Sequence, residues 1–287
     1  MTEHDDLDRQ LLLLAKGEAD QLEEANERQV DEGESHDSII TVRIRRTKVH
    51  VEGLDNVFGT DRVRPERLHA VPVIDGLARR CASQEGNALA VCCRLGLAED
   101  ERVRLLADSL LSWQWPDGGW NCDPKASGRR SSFHESLAPA WGLHEYALAT
   151  GDAAARAAAE RAAELFLSHR LFRSLSTGKP VRADWLVLHY PPYWHYDILQ
   201  GLHILVRLGR AADPRLEDAT DVLERRRLAN GTWSPGGYWW KPPGAGKDAT
   251  RGQRAWNAEV VNWGRSGPNE MVTLNAMRVL RAVGRHP

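Results

Sequence analysis

Carboxylate side chains recur along the chain near the predicted starts of four helices. They are Glu85 in SQEGN, Glu135 in SFHES, Asp197 in WHYDI and Glu270 in GPNEM. Two of these sites also carry an imidazole, because His134 precedes Glu135 and His195 lies two residues before Asp197. A carboxylate and an imidazole side by side can move a proton. This chemistry makes Glu135, Asp197 and Glu270 candidate acids, and His134 and His195 candidate bases or orienting groups.

The same acidic residues allow a purely structural interpretation, which the sequence leaves open. Negative charge near a helix N-terminus is favoured by about 0.3–1 kcal/mol. Ser132 and Glu135 also have the S-x-x-E spacing of a capping box. For Asp197, a buried hydrogen-bond network is the alternative to catalysis.

Aromatic side chains crowd the histidine-containing sites. The string HYPPYWHYD contains two His, three Tyr and one Trp, and a second aromatic group lies in GYWWKPP and AWNAEVVNWGRSGPNE. Ring faces hold apolar or cationic groups, so these residues predict an aromatic-lined cavity. The residues expected to contact its ligand are Trp141, Tyr193, Trp194, Tyr196, Trp240, Trp263 and Asn269.

Glycine turns divide the chain after Val71 into repeated helical hairpins, which position these residues. The turns are at Gly96, Gly151, Gly209 and Gly284, with intervals of 55, 58 and 75 residues. Apolar residues at i, i+3 and i+4 predict helices on both sides of the turns and little or no β-structure. The expected helices are 84–95, 100–114, 134–149, 153–169, 194–208, 214–228 and 269–283. Equivalent helix starts would bring the four acidic residues to one mouth of the array.

Composition divides the chain into three regions. Residues 1–36 form an acidic arm, helical or disordered, and residues 37–70 form an irregular segment in which ITVRIRRTKVHV alternates like a strand. No partner strand is evident nearby, so pairing with itself, pairing with another chain and no pairing all stay open. Residues 71–287 form the repeat domain. The longer last interval indicates an insertion, either a lid or a cover for an open end of the array.

The string LLSWQWPDGGWNCD contains a Q-x3-G-x-W motif formed by Gln114, Gly118 and Trp120. We expect the Gln amide to bond carbonyl groups at a helix end while Trp120 folds back over the helix. A second copy, RRLANGTW, has Arg227 in place of the Gln. These strings resemble the QW motif of squalene-hopene and oxidosqualene cyclases. The segment SSFHESLAPAWGLHEYA is similar to the repeat of protein prenyltransferase β subunits.

The resemblance covers about residues 71–285 and implies an all-α fold, the α/α toroid, as a partial or complete ring of helical hairpins. It also implies a terpenoid cyclase-like or prenyl-substrate enzyme that uses acid/base chemistry in an aromatic-lined cavity. The DxDD and DDxxD motifs of those enzymes are absent from this sequence. An already activated substrate or an isomerase-type proton shift therefore fits better than protonation of an alkene. The alternatives are a carbohydrate-active α/α-barrel hydrolase or lyase and a non-catalytic binding protein.

Zinc is the one metal that the resemblance suggests, because prenyltransferases hold zinc with a D-x-C pattern and a histidine. The D-x-C pattern is missing here, and the nearest equivalents are Cys122, Asp123 and His134. These three residues are the candidates for a zinc site. Otherwise no cofactor is expected.

The overall composition limits the classes of partner. The chain has 38 basic and 40 acidic side chains, a balance that gives no electrostatic surface for nucleic acid. Four cysteines without a CxxC pair, and charged residues around the apolar run near the start, predict a cytoplasmic protein without a membrane span. The expected partner is an apolar, isoprenoid-like small molecule. Homo-oligomerisation would cover the apolar ends of an open array.

Overall fold

The computed structural model describes residues 41–45, 48–52, 71–241, 263–265 and 267–286. Within these residues the protein is mostly helical. Its α-helices are α1 (Ala82–Arg94), α2 (Glu101–Trp113), α3 (Phe133–Thr150), α4 (Ala153–Ser168), α5 (Ile198–Arg207), α6 (Glu217–Arg225) and α7 (Glu270–Ala282). All seven predicted helices are confirmed, with ends that shift by a few residues.

The largest shifts occur where a side chain or a tight turn fixes a helix start. The helix expected from residue 194 begins at Ile198, because the Asp197 carboxylate accepts a hydrogen bond from the Gln200 N–H and is the N-cap. The expected helix 214–228 divides into a 3-10 turn, Pro214–Leu216, and α6.

The helices pair into hairpins across glycine turns. Gly96 follows α1, Gly151 follows α3 and Gly209 follows α5, and each has a φ of 75–78° in the left-handed region. Glycine adopts this conformation without the steric cost of a Cβ atom. The first helices of the hairpins contact one another in sequence order, α1 with α3, α3 with α5 and α5 with α7, while α2, α4 and α6 pack against them. The result is a two-layered array with α1, α3, α5 and α7 as one row.

The QW strings join the layers as expected. Trp120 is buried and its indole N–H donates to the Leu110 carbonyl (3.0 Å), while Trp233 is buried and donates to the Leu223 carbonyl (2.8 Å). The Gln114 amide donates to the carbonyl groups of Gly118 and Ala158, both at 2.8 Å. Each tryptophan therefore ties its loop to the preceding helix.

The second QW copy keeps the contact although it lacks the glutamine. Arg227 occupies the place of the Gln, and its Nε donates to the Gly231 carbonyl at 3.4 Å. Its guanidinium also lies over the Trp233 ring, 5.4 Å from the centroid. An arginine can thus replace the motif's glutamine because both side chains donate N–H groups to the turn.

The described β-strands form two short antiparallel hairpins. β1 (Thr41–Arg45) pairs with β2 (Lys48–Glu52), so the strand-like segment of the sequence pairs with itself. β3 (Val73–Ile74) pairs with β4 (Leu77–Ala78) just before α1. The acidic arm 1–36, the rest of residues 37–70 and residues 242–262 of the insertion lie outside the described residues.

Candidate functional site

A pocket of about 130 Å³ lies between the starts of α3 and α5, beside α1. Six residues that the sequence predicted for the site line it together. They are His134, Trp141, Tyr193, Trp194, His195 and Tyr196. Asn87 of α1 and Gln200 of α5 supply polar groups that the sequence did not suggest. The lining thus combines aromatic and imidazole rings with aliphatic side chains and two neutral polar side chains.

His134 is held by the loop that precedes α5. Its Nδ1 accepts a hydrogen bond from the Tyr196 backbone N–H at 2.8 Å, so the proton of the neutral ring resides on Nε2. Burial lowers the pKa of His134. The Tyr196 ring packs in the core, where its hydroxyl donates to the Leu171 carbonyl at 2.7 Å. Tyr196 therefore borders the pocket mainly as a structural residue.

His195 belongs to a continuous stack of four rings. Trp194 stacks on His195 (centroids 3.9 Å apart), His195 on Trp239 (4.0 Å) and Trp239 on His189 (4.1 Å). Burial is the main reason why the pKa of His195 falls to about 4, so the ring is neutral at pH 7. The buried His195 Nδ1 and Gln200 Nε2 have no hydrogen-bond partner in the described part of the chain. Such atoms mark a place where a ligand or water completes the site.

The Asp197 carboxylate holds the loop before α5 in place through hydrogen bonds. Its side chain is 1% exposed, Oδ1 accepts from the Gln200 N–H (3.0 Å) and Oδ2 accepts from the His189 N–H (2.9 Å). The His189 Nδ1 lies 3.3 Å from the same Oδ2. Both oxygens are thus engaged, and Asp197 does not line the pocket.

Glu135 is also buried, and it caps a neighbouring helix rather than its own. Its Oε2 accepts from the Ser83 N–H of α1 at 3.0 Å, while Ser132 makes no side-chain cap bond. The predicted capping box is therefore wrong. Cys81, the N-cap of α1, makes no side-chain cap bond either, so the carboxylate of α3 satisfies that orphan donor.

The other two acidic residues lie in different environments. Glu85 is buried and paired with Arg80, whose Nε lies 2.8 Å from Oε1, and burial raises the pKa of Glu85. Glu270 is exposed. The N-caps of the four helices are Cys81, Ser132, Asp197 and Asn269. Counted from these caps, Glu85 is the fourth residue, Glu135 the third, Asp197 the cap itself and Glu270 the first, so the four acidic residues are not in equivalent positions.

The remaining predicted ligand contacts lie outside the pocket. Trp240 stacks on Tyr193 with the centroids 3.8 Å apart. Trp263 is 40% exposed and meets the Tyr190 ring edge-on. Asn269 is buried, and its Oδ1 accepts from the Val272 N–H as the N-cap of α7. None of these three residues lines the pocket.

Two cysteines and Glu135 form a cluster beside the pocket. The ligand atoms of Cys81, Cys122 and Glu135 all lie within 4.8 Å of one another. A hydrogen bond from the Cys122 thiol lowers the pKa of Cys81, and the same bond raises that of Cys122. The predicted zinc ligands Asp123 and His134 are not part of this group. Asp123 accepts from the Lys125 N–H, and His134 Nδ1 is already bonded to Tyr196.

His189 and Cys81 were not among the residues predicted for the site, while Trp239 belonged to the predicted aromatic group in GYWWKPP. His189 opens the HYPPYWHYD string that drew attention to its neighbours, but it stands eight residues before Asp197, so no local spacing indicated their contact. Trp239 reaches the site because the Gly236 N–H bonds to the Leu188 carbonyl at 2.9 Å, a long-range contact without a local sequence signal.

No protein-family model, curated protein or solved structure matches this chain. Among the described helices, none has the length and apolar character that a membrane crossing requires. Fold and site together define a helical-hairpin protein with a small aromatic pocket at its helix starts.

Proposed function

We propose that the protein binds a small apolar or cationic group, such as the end of an isoprenoid, in the aromatic pocket. The ring-lined pocket between α3 and α5 is the observation that carries this proposal. Its volume of about 130 Å³ is close to that of a 150 Å³ engineered cavity that binds benzene, so it accepts a group of five or six carbons. A longer substrate would place only its terminus inside. The α/α toroid implied by the QW strings is a fold in which such ligands are bound.

The neutral histidines favour proton transfer from a cation over ordinary acid/base catalysis. An imidazole whose conjugate acid has a pKa of about 4 is a weak base. When the C–O bond of an allylic diphosphate breaks and diphosphate leaves, however, the allylic cation that remains gives up a proton even to a weak base and becomes a diene. The buried His195 Nδ1 has no hydrogen-bond partner among the described residues, and in the tautomer that carries its proton on Nε2 this atom can accept a proton. We therefore assign His195 as the proton acceptor and the surrounding ring faces as the stabilising groups.

The pocket gives less support to a carbohydrate enzyme. Glycoside hydrolases use a pair of carboxyl groups that flank the scissile bond. In the described residues, Glu135 and Asp197 are buried in cap hydrogen bonds, and neither lines the pocket. The second candidate function is ligand binding without catalysis, because these acidic residues serve as helix caps and the pocket is small.

A binding experiment tests the first part of the proposal. Dimethylallylammonium and the neutral alcohol prenol are titrated into the protein while tryptophan fluorescence is recorded. We expect the ammonium compound to bind more tightly, because ring faces attract a cation by about 0.5–2 kcal/mol. Trp194→Ala should weaken its binding by roughly 2- to 30-fold, the factor that corresponds to this energy.

Trp263→Ala is the matched control, because Trp263 is 40% exposed against 48% for Trp194 but lies outside the pocket. Its affinity should stay within about twofold of the wild type. Equal losses in the two variants, or no binding of either compound, would refute the pocket.

A product assay tests the second part. The protein is incubated with allylic diphosphates and Mg²⁺, and hydrocarbon products are identified by gas chromatography and mass spectrometry. His195→Phe keeps a ring in the stack but removes the base, so we expect ligand affinity to persist while product formation falls. Binding without any product from the wild type would establish the non-catalytic alternative.

A further inference from the structure

Three potential metal ligands converge from separate segments outside the pocket. Cys81 is the N-cap of α1, Cys122 lies two residues after Trp120, and Glu135 stands in the first turn of α3. Their ligand atoms lie within 4.8 Å of one another, and Cys122 Sγ is 3.7 Å from Glu135 Oε1. Cys122 and Glu135 follow Cys81 by 41 and 54 positions in the sequence, yet the three side chains meet at one point of the fold. Such convergence is what a metal site requires and what sequence spacing did not show.

Hydrogen bonds of the fold hold the three segments in place. Glu135 is 6% exposed, and the Ser83 N–H engages its Oε2, which leaves Oε1 directed at Cys122. The Arg80 N–H donates to the Asn121 carbonyl at 3.1 Å. Because Arg80 precedes Cys81 and Asn121 precedes Cys122, this bond holds together the two backbone segments that carry the cysteines. The ligands therefore need little ordering when an ion binds.

We propose that Cys81, Cys122 and Glu135 bind a zinc ion and leave its fourth coordination position open. Zinc prefers tetrahedral sites with sulfur at about 2.3 Å and carboxylate oxygen at about 2.0–2.2 Å. This geometry places ligand atoms roughly 3.5–3.8 Å apart. The Cys122–Glu135 separation already has this value, and the 4.8 Å limit on the cluster requires a closure of about 1 Å at most.

The chemistry of the ligands selects the ion. Thiolate sulfur disfavours Mg²⁺ and Ca²⁺, which take oxygen ligands, and favours zinc. Two thiolates and a carboxylate would carry three negative charges in a confined space, and a divalent cation relieves their repulsion. Three protein ligands with one open position is the arrangement of catalytic zinc sites, in which water or a substrate group completes the tetrahedron.

The open position is accessible from solvent. Cys81 is exposed and Cys122 is half-buried, whereas Glu135 forms the floor of the cluster. The site is independent of the proposed pocket ligand, because zinc binding requires no isoprenoid. A ligand with a thiolate, carboxylate or phosphate group is the chemical class that the fourth position would accept.

Metal analysis of the full chain tests the site. Protein purified with zinc is freed from loose metal by gel filtration, and the bound metal is measured by mass spectrometry. In a second arm, Co²⁺ replaces zinc and the absorption spectrum is recorded. We expect about one zinc per chain, and for cobalt a thiolate charge-transfer band with the intense visible bands of tetrahedral coordination.

The variants Cys81→Ser and Cys122→Ser should lower zinc affinity by at least about 100-fold in competition with a chelator and abolish the cobalt band. Cys92→Ala is the matched control, because Cys92 is buried in the core away from the cluster, and it should bind zinc like the wild type. Far-ultraviolet circular dichroism confirms that the exposed-site variant Cys81→Ser is folded.

Several outcomes would overturn the proposal. A wild-type protein without retained zinc and without the cobalt charge-transfer band has no such site. An equal loss in Cys92→Ala would show that the affinity does not depend on the cluster. A Cys81–Cys122 disulfide in protein prepared under reducing conditions would assign the pair to redox chemistry instead.

Discussion

The variant Asp197→Asn tests whether the Asp197 carboxylate stabilises the fold or acts as a catalytic acid. Asparagine is as good an N-cap as aspartate, so its oxygen can still accept from the Gln200 N–H. The second oxygen becomes an NH₂ group that faces the buried His189 N–H, which loses its acceptor. An unsatisfied buried donor costs about 1–3 kcal/mol. We therefore expect the variant to lose about 2 kcal/mol of unfolding free energy.

Urea unfolding followed by circular dichroism measures this loss. Asp152→Asn is the control, since Asp152 is the N-cap of α4 but accepts from one backbone donor, the Ala155 N–H at 2.8 Å. The control should change stability by less than about 0.5 kcal/mol. If Asp197→Asn were as stable as the wild type, the second oxygen would not be needed by the fold. Asp197 would then return to the list of candidate acids.

Three further predictions follow from buried groups. Trp120→Ala should lower the unfolding free energy by about 3–5 kcal/mol, measured by urea titration, because it leaves a cavity where the buried Trp120 ring packs. His195 and His203 have a pKa of about 4 owing to burial, against 6.5 when unfolded, so the unfolded state gains protons first. Stability should therefore fall between pH 6.5 and 4, by ~3 kcal/mol after allowance for solvent exposure, in unfolding titrations across that range. In metal-free native protein, iodoacetamide should label exposed Cys81 and spare Cys92, whose pKa burial raises to about 11, as read by peptide mass spectrometry.

Local signals account for the part of the fold that the sequence predicted. Apolar periodicity and the left-handed glycine turns define each helix from residues within a few positions, as at Gly96 and Gly151. The QW contact also depends on short spacing, because Trp120 and Trp233 each bond to a carbonyl ten residues earlier. Whether the hairpin array closes into a ring depends on contacts between distant units, which short-range patterns do not encode.

The positions of the candidate acids were harder to predict. A shift of one or two residues along a helix changes what a side chain contacts. The sequence placed Glu135 and Glu270 at equivalent helix starts. The backbone shows instead that Ser132 and Asn269 are equivalent, since each donates its N–H to the carbonyl of the QW tryptophan. Glu270 thus corresponds to Phe133, and Glu135 to the buried Val272. A helix turns by about 100° per residue, so a shift of two positions moves a carboxylate from the interior to solvent.

The pocket could be predicted in part because a single string, HYPPYWHYD, supplies most of its rings. What the string could not show is that Trp239 inserts between His195 and His189. This stacking excludes water from His195 and so keeps the imidazole neutral. The neutral state of His195, on which its proposed role depends, therefore arises from tertiary packing.

The start of α3 shows how closely the two proposed sites are connected. Phe133 packs in the aromatic core and His134 lines the pocket. Glu135 belongs to the cysteine cluster, and the Ser136 hydroxyl oxygen accepts a hydrogen bond from the Trp120 N–H. Successive helical side chains point about 100° apart, so four neighbours reach four different environments. A substitution at His134 should then affect the pocket without removing a metal ligand, and one at Glu135 should do the reverse. Adjacent residues can thus test the two proposals separately, although a single turn of helix holds both sites.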